Sequence, residues 1–238
     1  MSEKKKLLNN SILLDSGVVA NNRMNRGRGC LGSNGYQKDL SFNPLDFLQE
    51  RLVDNKFVSW LDICCGEGRA LVETATNFAD LERAENTSFN LQLTGIDLAG
   101  MFCSFPAGLN CLTLLETSIE EYEPEQKFDL ITCVHGLHYI GDKLSVIGKA
   151  AQFLKKDGIF RANLELKNLK LSEEQNSDKI FTEFFSAKGF IFDKRKNLLC
   201  LRGGKIFDSP FVYQGADDKA GPNYTGQPAV DSYYEFLS

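Results

Sequence analysis

The feature that most constrains the fold is an alternation of short apolar segments with segments of helical periodicity. Strand-like segments that alternate with amphipathic helices indicate βαβ units, and such units build a parallel sheet with helices on both faces. The predicted strands lie at 58–64, 91–96, 111–115, 128–134 and 159–166, and the predicted helices lie at 69–81, after Leu98, at 143–155 and at 173–187.

The pattern changes near the end of the chain. Residues 190–195, 198–202 and 205–213 resemble strands, and Gly203-Gly204 stands where a hairpin turn would fit. We therefore expect an α/β fold with a seven-stranded, mostly parallel sheet that ends in antiparallel strands.

The chain divides into three zones of a single domain. Residues 1–44 are rich in Gly and Asn and predict a loop-rich arm, which is either disordered or functional. Residues 45–213 form the predicted core, beginning with a helix that Pro44 initiates. Residues 214–238 are expected to form a tail, because 216–224 show neither helical nor strand periodicity.

Composition excludes several classes of protein. The 238 residues are 42% hydrophobic and carry a net charge of −5, which indicates a globular domain rather than a disordered chain. No apolar run approaches the roughly 20 residues that a membrane span needs, and the Asn residues after Lys6 interrupt any signal-peptide pattern, so we expect a cytoplasmic protein. The acidity argues against a nucleic-acid partner. Seven cysteines without a Cys-x-x-Cys pair, and only two histidines, predict reduced thiols and no metal site.

The most informative motif is a glycine turn between the first strand and the first core helix. Asp62 ends the apolar strand, Gly66 and Gly68 form the turn, and the helix opens after them. The turn brings backbone N–H groups and the positive end of the helix to one point, and glycines let a ligand approach the main chain. The second strand ends in Asp97, which places a carboxylate beside the turn, where a ribose diol would be held.

This arrangement resembles the class I S-adenosylmethionine-dependent methyltransferase family, whose fold is Rossmann-like. The resemblance covers about residues 57–165 and includes Glu116–Ile119, Phe128–His135 and the loop at 154–160. It implies S-adenosyl-L-methionine as cofactor and S-adenosyl-L-homocysteine as product. The cofactor-binding residues it implies are Asp62, Cys64, Gly66, Gly68, Asp97, Leu98, Ser118, Ile119 and Val134.

Two details of the turn separate the alternatives. Dinucleotide-binding dehydrogenases need Gly-x-Gly-x-x-Gly around a pyrophosphate. This turn instead contains Glu67, whose negative charge would face the phosphates unfavourably if it turned inward. Cys64 stands where the family usually has its first glycine. A cysteine is tolerable at this position if the residue has a negative φ.

The acceptor side is predicted from the two histidines and the arm. His135 directly follows the fourth strand at the carboxyl edge of the sheet, so we predict that it is the general base. His138 either packs against the following helix or contacts the acceptor. The other candidates for substrate contact are Arg23, Arg26, Arg28, Tyr36 and Tyr139.

The expected reaction is methylation of an oxygen atom of a small or peptide-like acceptor. In many members of the family the N-terminal segment covers the cofactor and lines the acceptor pocket, and the arginines of the arm would bind an acceptor carboxylate or phosphate. Two alternatives stay open: methylation of the nitrogen of a small amine, and a non-catalytic regulatory protein that binds S-adenosylmethionine.

Overall fold

A computed structural model of the chain describes residues 6–20, 27–54, 56–172 and 176–237. The helices of this part, in chain order, are α1 Asn10–Leu14, α2 Gly17–Ala20, α3 Tyr36–Asp39, α4 Pro44–Asp54, α5 Arg69–Glu85, α6 Lys143–Phe153 and α7 Ser177–Ala187. The strands are β1 Val58–Ile63, β2 Leu91–Asp97, β3 Leu112–Glu116, β4 Phe128–Cys133, β5 Leu154–Asn163, β6 Leu169–Leu171, β7 Ile191–Asp193, β8 Leu198–Arg202, β9 Phe211–Asp217 and β10 Asp231–Phe236.

The larger sheet has the strand order β3-β2-β1-β4-β5-β8-β7. Strands β1 to β5 pair in parallel, and β8 runs antiparallel to both of its neighbours. The predicted Rossmann-like fold with a seven-stranded, mostly parallel sheet is confirmed, and its antiparallel end consists of the one strand β8.

Alternate residues of β1 face two different cores. Leu61 packs with buried residues of α6, whereas Trp60 packs with buried residues of α5 and with Leu48 of α4. Because both faces of β1 are covered, all of its residues are buried. The apolar residues of β1 therefore do not alternate strictly with polar ones, and its two polar residues, Ser59 and Asp62, are buried with hydrogen-bond partners.

Two predictions about local structure are wrong. The residues after Leu98 form no helix, since Gly100 and Gly108 adopt left-handed φ values of 58° and 98° and Pro106 lies between them. Gly203 and Gly204 form no hairpin between β8 and β9. Instead the Gly204 N–H donates to the Lys155 carbonyl at 2.8 Å, and a Cβ on Gly204 would lie 2.0 Å from the Leu154 carbonyl oxygen. The glycines thus let the chain cross close over the start of β5.

The chain after this crossing contributes β9 and β10 to a second sheet, which has the order β6-β10-β9. Its central strand β10 lies in the segment 214–238, for which no strand was expected. The polar residues at its start conceal the pattern, because they are buried with polar partners: Asp231 accepts from Asn168 Nδ2 at 2.7 Å, and Ser232 accepts from Lys143 Nζ at 2.7 Å.

The N-terminal arm packs against the domain where it is described. Leu8 pairs with Ala216 of β9, and Leu13 packs against Ala216 and Val230. Tyr36 and Leu40 are buried in the core beside β1. The arm therefore has short helices and specific contacts, beyond the loop character that its composition predicts.

Candidate functional site

The glycine turn lies at the carboxyl end of β1. Cys64, Gly66 and Gly68 have φ values of 56°, 62° and 74°, so all three occupy the left-handed region. The condition under which a cysteine is easily tolerated is therefore not met at Cys64, which adopts a left-handed φ at a steric cost of about 1–2 kcal/mol. The Cys65 N–H donates to the Ile96 carbonyl at 3.1 Å and fixes the turn to β2.

Gly68 lets α5 begin close to the sheet. A Cβ at this position would lie 2.8 Å from Leu114 Cδ1 and 2.9 Å from Leu114 Cδ2. Only a glycine therefore combines this φ with this contact. The N-terminus of the 17-residue helix α5 is brought beside the ends of β1 and β2.

Asp97 joins the turn to the end of β2. Its Oδ2 accepts from the Gly66 N–H at 3.0 Å, and its Oδ1 accepts from the Ala99 N–H at 2.9 Å. The carboxylate is held in one orientation by these two bonds. A vicinal diol is the kind of group that such a carboxylate binds.

A cavity of about 620 Å³ lies over these strand ends. This volume is in the range of small-molecule sites. The predicted site residues that line it are Cys64, Gly66, Asp97, Leu98, Ser118, Val134, His135 and Tyr139. The N-terminal residues that close it from the other side, which sequence reasoning did not select, are Asn10, Leu13, Leu14 and Val19.

The other predicted cofactor residues lie behind this lining. Asp62 is buried and accepts from the Tyr36 hydroxyl at 2.7 Å and from Thr132 Oγ1 at 2.6 Å. Burial raises the pKa of Asp62 to about 7, although both hydrogen bonds lower it. Gly68 and Ile119 also lie outside the lining, where Gly68 supports α5 and Ile119 is a core residue.

Tyr36 and Arg28, predicted to contact the acceptor, have partners inside the protein. Tyr36 is buried with its hydroxyl on Asp62. Arg28 Nη1 donates to Asp39 Oδ2 at 2.6 Å and forms an ion pair with it. Arg23 and Arg26 lie outside the described residues.

His135 is the centre of a polar chain that connects three distant parts of the sequence. Its Nε2 lies 3.3 Å from Asp39 Oδ2, and its Nδ1 lies 3.3 Å from the Tyr224 hydroxyl. The contact between Nε2 and Asp39 does not have hydrogen-bond geometry, and it is an ion pair only when the imidazole is protonated. His135 is 1% exposed, and both ring nitrogens are occupied by protein groups.

The charges around Asp39 keep it ionised. Burial raises the pKa of this carboxyl, but the interaction with His135 and the positive charge of Arg28 outweigh it, so that the pKa lies below its usual value. The side chain of Asn163, at the end of β5, donates from Nδ2 to the Asp39 carbonyl at 3.2 Å. Its Oδ1 accepts from the backbone N–H of His135 at 3.3 Å. The same asparagine thus positions both residues.

His138 is a buried neighbour of His135 outside the cavity lining. Its ring stacks on that of His135, with 5.8 Å between the centroids and an angle of 27°, and its carbonyl accepts from the Val230 N–H at 2.8 Å. Burial lowers the pKa of His138 to about 3, and the nearby positive charges act in the same direction. At neutral pH His138 is therefore an uncharged packing residue.

Sequence reasoning missed Asp39 and Tyr224. Both lie in segments without periodicity, the arm and the expected tail, where no local signal marks a functional side chain. Only their contacts with His135 identify them. Within the described part of the chain, the helices are too short or too polar to span a bilayer.

A family model described as "Methyltransferase domain" matches residues 36–175, which is more than half of the chain. No curated protein matches the sequence. Solved structures with a similar fold include the plantazolicin methyltransferase BpumL in complex with a monoazolic desmethylPZN analog and SAH, with 19% identity, 50% of this chain and 44% of that chain covered, and a TM-score of 0.38.

Two further structures are similar at the same level. The amino pentose methyltransferase CalS10 from Micromonospora echinaspora has 16% identity and a TM-score of 0.40. The alignment covers 55% of this chain and 51% of CalS10. The N-methyltransferase NodS from Bradyrhizobium japonicum WM9 has 15% identity and a TM-score of 0.41. The alignment covers 74% of this chain and 95% of NodS. The aligned part of this chain spans about half the length of BpumL and of CalS10.

The glycine turn, the carboxylate of Asp97 and the cavity over them fit S-adenosylmethionine as cofactor. The chain belongs to the methyltransferase domain family, and within it to the class I S-adenosylmethionine-dependent methyltransferases.

Proposed function

We propose that the enzyme transfers the methyl group to an oxygen atom of a small or peptide-like acceptor, and that His135 is the general base. The observation that carries this proposal is the pairing of His135 with Asp39 at the wall of the cavity. A carboxylate beside Nε2 favours the tautomer with the proton on Nε2, which leaves Nδ1 as the basic nitrogen.

We infer that the cofactor lies across the ends of β1 and β2. Asp97 would accept from the ribose hydroxyls, and Gly66 would let the main chain approach the amino-acid end. Leu98 and Ser118 would lie beside the adenine, while Asp62 and Gly68 would support the turn from behind. These roles follow the family resemblance and agree with the lining of the cavity.

Bound S-adenosylmethionine supplies a methyl group that its sulfonium has already activated. The chain has to align the acceptor, exclude water and remove one proton. In the proposed step the acceptor O–H bond breaks, its proton goes to His135 Nδ1, the oxygen forms a bond to the methyl carbon, and the carbon–sulfur bond breaks with its electron pair left on sulfur. Asp39 stabilises the imidazolium that forms.

The need for a base favours oxygen over nitrogen. A neutral amine carries a lone pair that attacks without prior loss of a proton, whereas a hydroxyl is a weak nucleophile until its proton is removed. A buried imidazole beside a carboxylate is placed to remove a proton, so it fits a hydroxyl acceptor.

The test is a turnover screen with isotope-labelled S-adenosylmethionine against pooled hydroxyl-bearing and amine-bearing metabolites and short peptides, scored by mass shift. We expect methyl ethers or esters as products. With the acceptor so found, His135→Ala should lower the rate by about 10²–10⁴-fold and leave the affinity for S-adenosylhomocysteine nearly intact.

Three results would contradict the proposal. The first is a set of products methylated on nitrogen alone, the second is a His135→Ala rate within a few-fold of the parent, and the third is a variant whose cofactor affinity falls in step with its rate. The last result would place His135 among the cofactor contacts.

A further inference from the structure

Tyr224 occupies the position that an acceptor would need. The proposed base accepts its proton at Nδ1, and in the structure this nitrogen faces the Tyr224 hydroxyl at 3.3 Å. Since Nε2 faces Asp39, no ring nitrogen of His135 is free for an acceptor. One of the two protein partners has to leave before His135 can act.

Asp39 is firmly held. It forms the ion pair with Arg28 at 2.6 Å, its carbonyl accepts from Asn163, and the adjacent Leu40 carbonyl accepts from Arg161 Nη1 at 2.6 Å. Removal of Asp39 would also leave a buried imidazolium without a counter-charge, which is costly. Asp39 therefore stays during the reaction.

Tyr224 is held less firmly. It is 43% exposed and lies at the tip of the loop between β9 and β10. Its hydroxyl contacts His135 Nδ1 at 3.3 Å, which is long for a hydrogen bond, and the contact involves no charge on the tyrosine.

The loop is built as a unit that can move. Asn223 Oδ1 accepts from Thr225 and Gln227, so the tip keeps its own shape. Gly221 and Gly226 flank the tip with φ values of 87° and 82°, and a Cβ on either would meet nothing within 4 Å. The tip contacts the rest of the domain through the buried Asn223 and through the Pro222 carbonyl, which accepts from Lys167 Nζ at 3.3 Å. A turn that keeps its own shape can move as a unit once these contacts are broken.

We propose that Tyr224 is an internal stand-in for the acceptor, and that the acceptor is a phenol whose hydroxyl replaces that of Tyr224 on His135 Nδ1. This inference rests on the proposed function. The slot already accommodates a phenol ring: the centroid of the Tyr224 ring lies 5.8 Å from that of His135 and 5.5 Å from that of His138.

The acidity of the acceptor supports the same class. A phenol has a pKa near 10, about 3–4 units above that of an ordinary imidazolium, so a transient proton transfer to imidazole is feasible. An aliphatic hydroxyl is far less acidic. Burial raises the pKa of Tyr224 itself, so its hydroxyl stays protonated and serves as a donor to Nδ1.

The test uses p-cresol, which is the tyrosine side chain as a free molecule, and toluene, which lacks the hydroxyl. The chain has two histidines, so the ¹⁵N spectrum of the imidazoles resolves both nitrogens of each. In Tyr224→Ala we expect the His135 Nδ1 signal to move to that of an unbonded nitrogen, and p-cresol to restore it. Tyr224→Ala should bind p-cresol at least tenfold more tightly than the parent does. It should also bind p-cresol at least tenfold more tightly than it binds toluene.

Tyr224→Phe is the matched control. It removes the hydroxyl and keeps the ring, so the Nδ1 signal should move as in Tyr224→Ala, while p-cresol should still bind at least tenfold more weakly than to Tyr224→Ala. Tyr224→Ala should also methylate p-cresol to its methyl ether with labelled S-adenosylmethionine.

Several results would overturn the inference. Equal binding of toluene and p-cresol by Tyr224→Ala would show that the variant has only an apolar cavity that does not recognise a hydroxyl. An unchanged Nδ1 signal in Tyr224→Phe would show that the tyrosine hydroxyl forms no hydrogen bond with His135. A Tyr224→Phe rate that falls in step with His135→Ala would make Tyr224 a proton relay instead. Bound p-cresol that stays unmethylated, in an enzyme that methylates other hydroxyls, would exclude phenols. The spectra need no turnover, so they decide the position of Tyr224 even where the screen contradicts oxygen methylation.

Discussion

At the scale of single residues, the carboxylate of Asp97 is the strongest candidate for cofactor affinity. We predict that Asp97→Ala weakens binding of S-adenosylhomocysteine by about 1–3 kcal/mol, because a charge-assisted hydrogen bond to the ribose is lost. Isothermal titration calorimetry measures this change.

Asp97 also holds the Gly66 and Ala99 N–H groups, so the variant needs a structural control. Asp97→Asn keeps one acceptor oxygen and should lose less affinity than Asp97→Ala. If both variants are folded and bind with the affinity of the parent, the ribose role of Asp97 is wrong.

His138 gives a prediction about acid stability. Its pKa in the folded protein is about 3, against about 6.5 in the unfolded chain. Between these values the unfolded chain binds a proton that the folded protein refuses, so His138 lowers the free energy of unfolding as pH falls, by up to about 1.4 kcal/mol for each pH unit.

The comparison has to be with His138→Gln, which does not titrate. Asp62 acts in the opposite direction and is present in both proteins, so the comparison cancels it. Because its pKa is raised in the folded protein, its stabilising contribution is largest below about pH 4 and is lost as pH rises through about 7. Urea unfolding should therefore be measured from pH 7 to pH 4 for both proteins. As pH falls, the free energy of unfolding of the parent should decrease relative to that of His138→Gln. A difference independent of pH would mean that His138 becomes charged in the folded protein.

At the scale of elements, the joint between the glycine turn and α5 depends on Gly68. Gly68→Ala should lower the free energy of unfolding by about 2–4 kcal/mol, because the new Cβ adds a contact with Leu114 to the strain of a left-handed alanine. Gly108→Ala carries the strain without the contact and should cost about 1 kcal/mol. Equal losses in chemical denaturation would show that Leu114 gives way and that the close approach of α5 is not needed.

At the scale of the whole molecule, the cavity is closed by a segment far from the glycine turn in sequence. Asn10, Leu13, Leu14 and Val19 line it, and the pairing of Leu8 with Ala216 holds their segment on the second sheet. We predict that S-adenosylhomocysteine slows amide hydrogen exchange in residues 8–19 and 97–101, because a bound ligand adds contacts to the segments that cover it.

The edge strand β7 provides the internal reference for this experiment. It lies at the far end of the sheet order from β2, so its exchange should not respond to the ligand. Exchange in residues 8–19 that is indifferent to S-adenosylhomocysteine would contradict a covering role for the arm. We also predict that residues 20–36 gain protection when the ligand binds, and the same measurement tests it.

The sequence by itself determined the order of strands and helices in the core and the place of the glycine turn. These features are local: apolar periodicity decides which backbone is buried, and Gly66, Gly68 and Asp97 mark strand ends that must meet at one edge of a parallel sheet. The same local reasoning failed at Gly203-Gly204, because a glycine pair fits a hairpin and a close crossing equally well.

Only the tertiary structure decided what surrounds His135. Asp39 comes from the arm, Tyr224 from the loop before β10, and neither segment carries a periodic signal. The reason is physical: a polar contact between two loops depends on how the elements that carry them pack, and the chain encodes that packing in residues far from either loop. His135 could be placed from the sequence at the end of β4, but its partners could not.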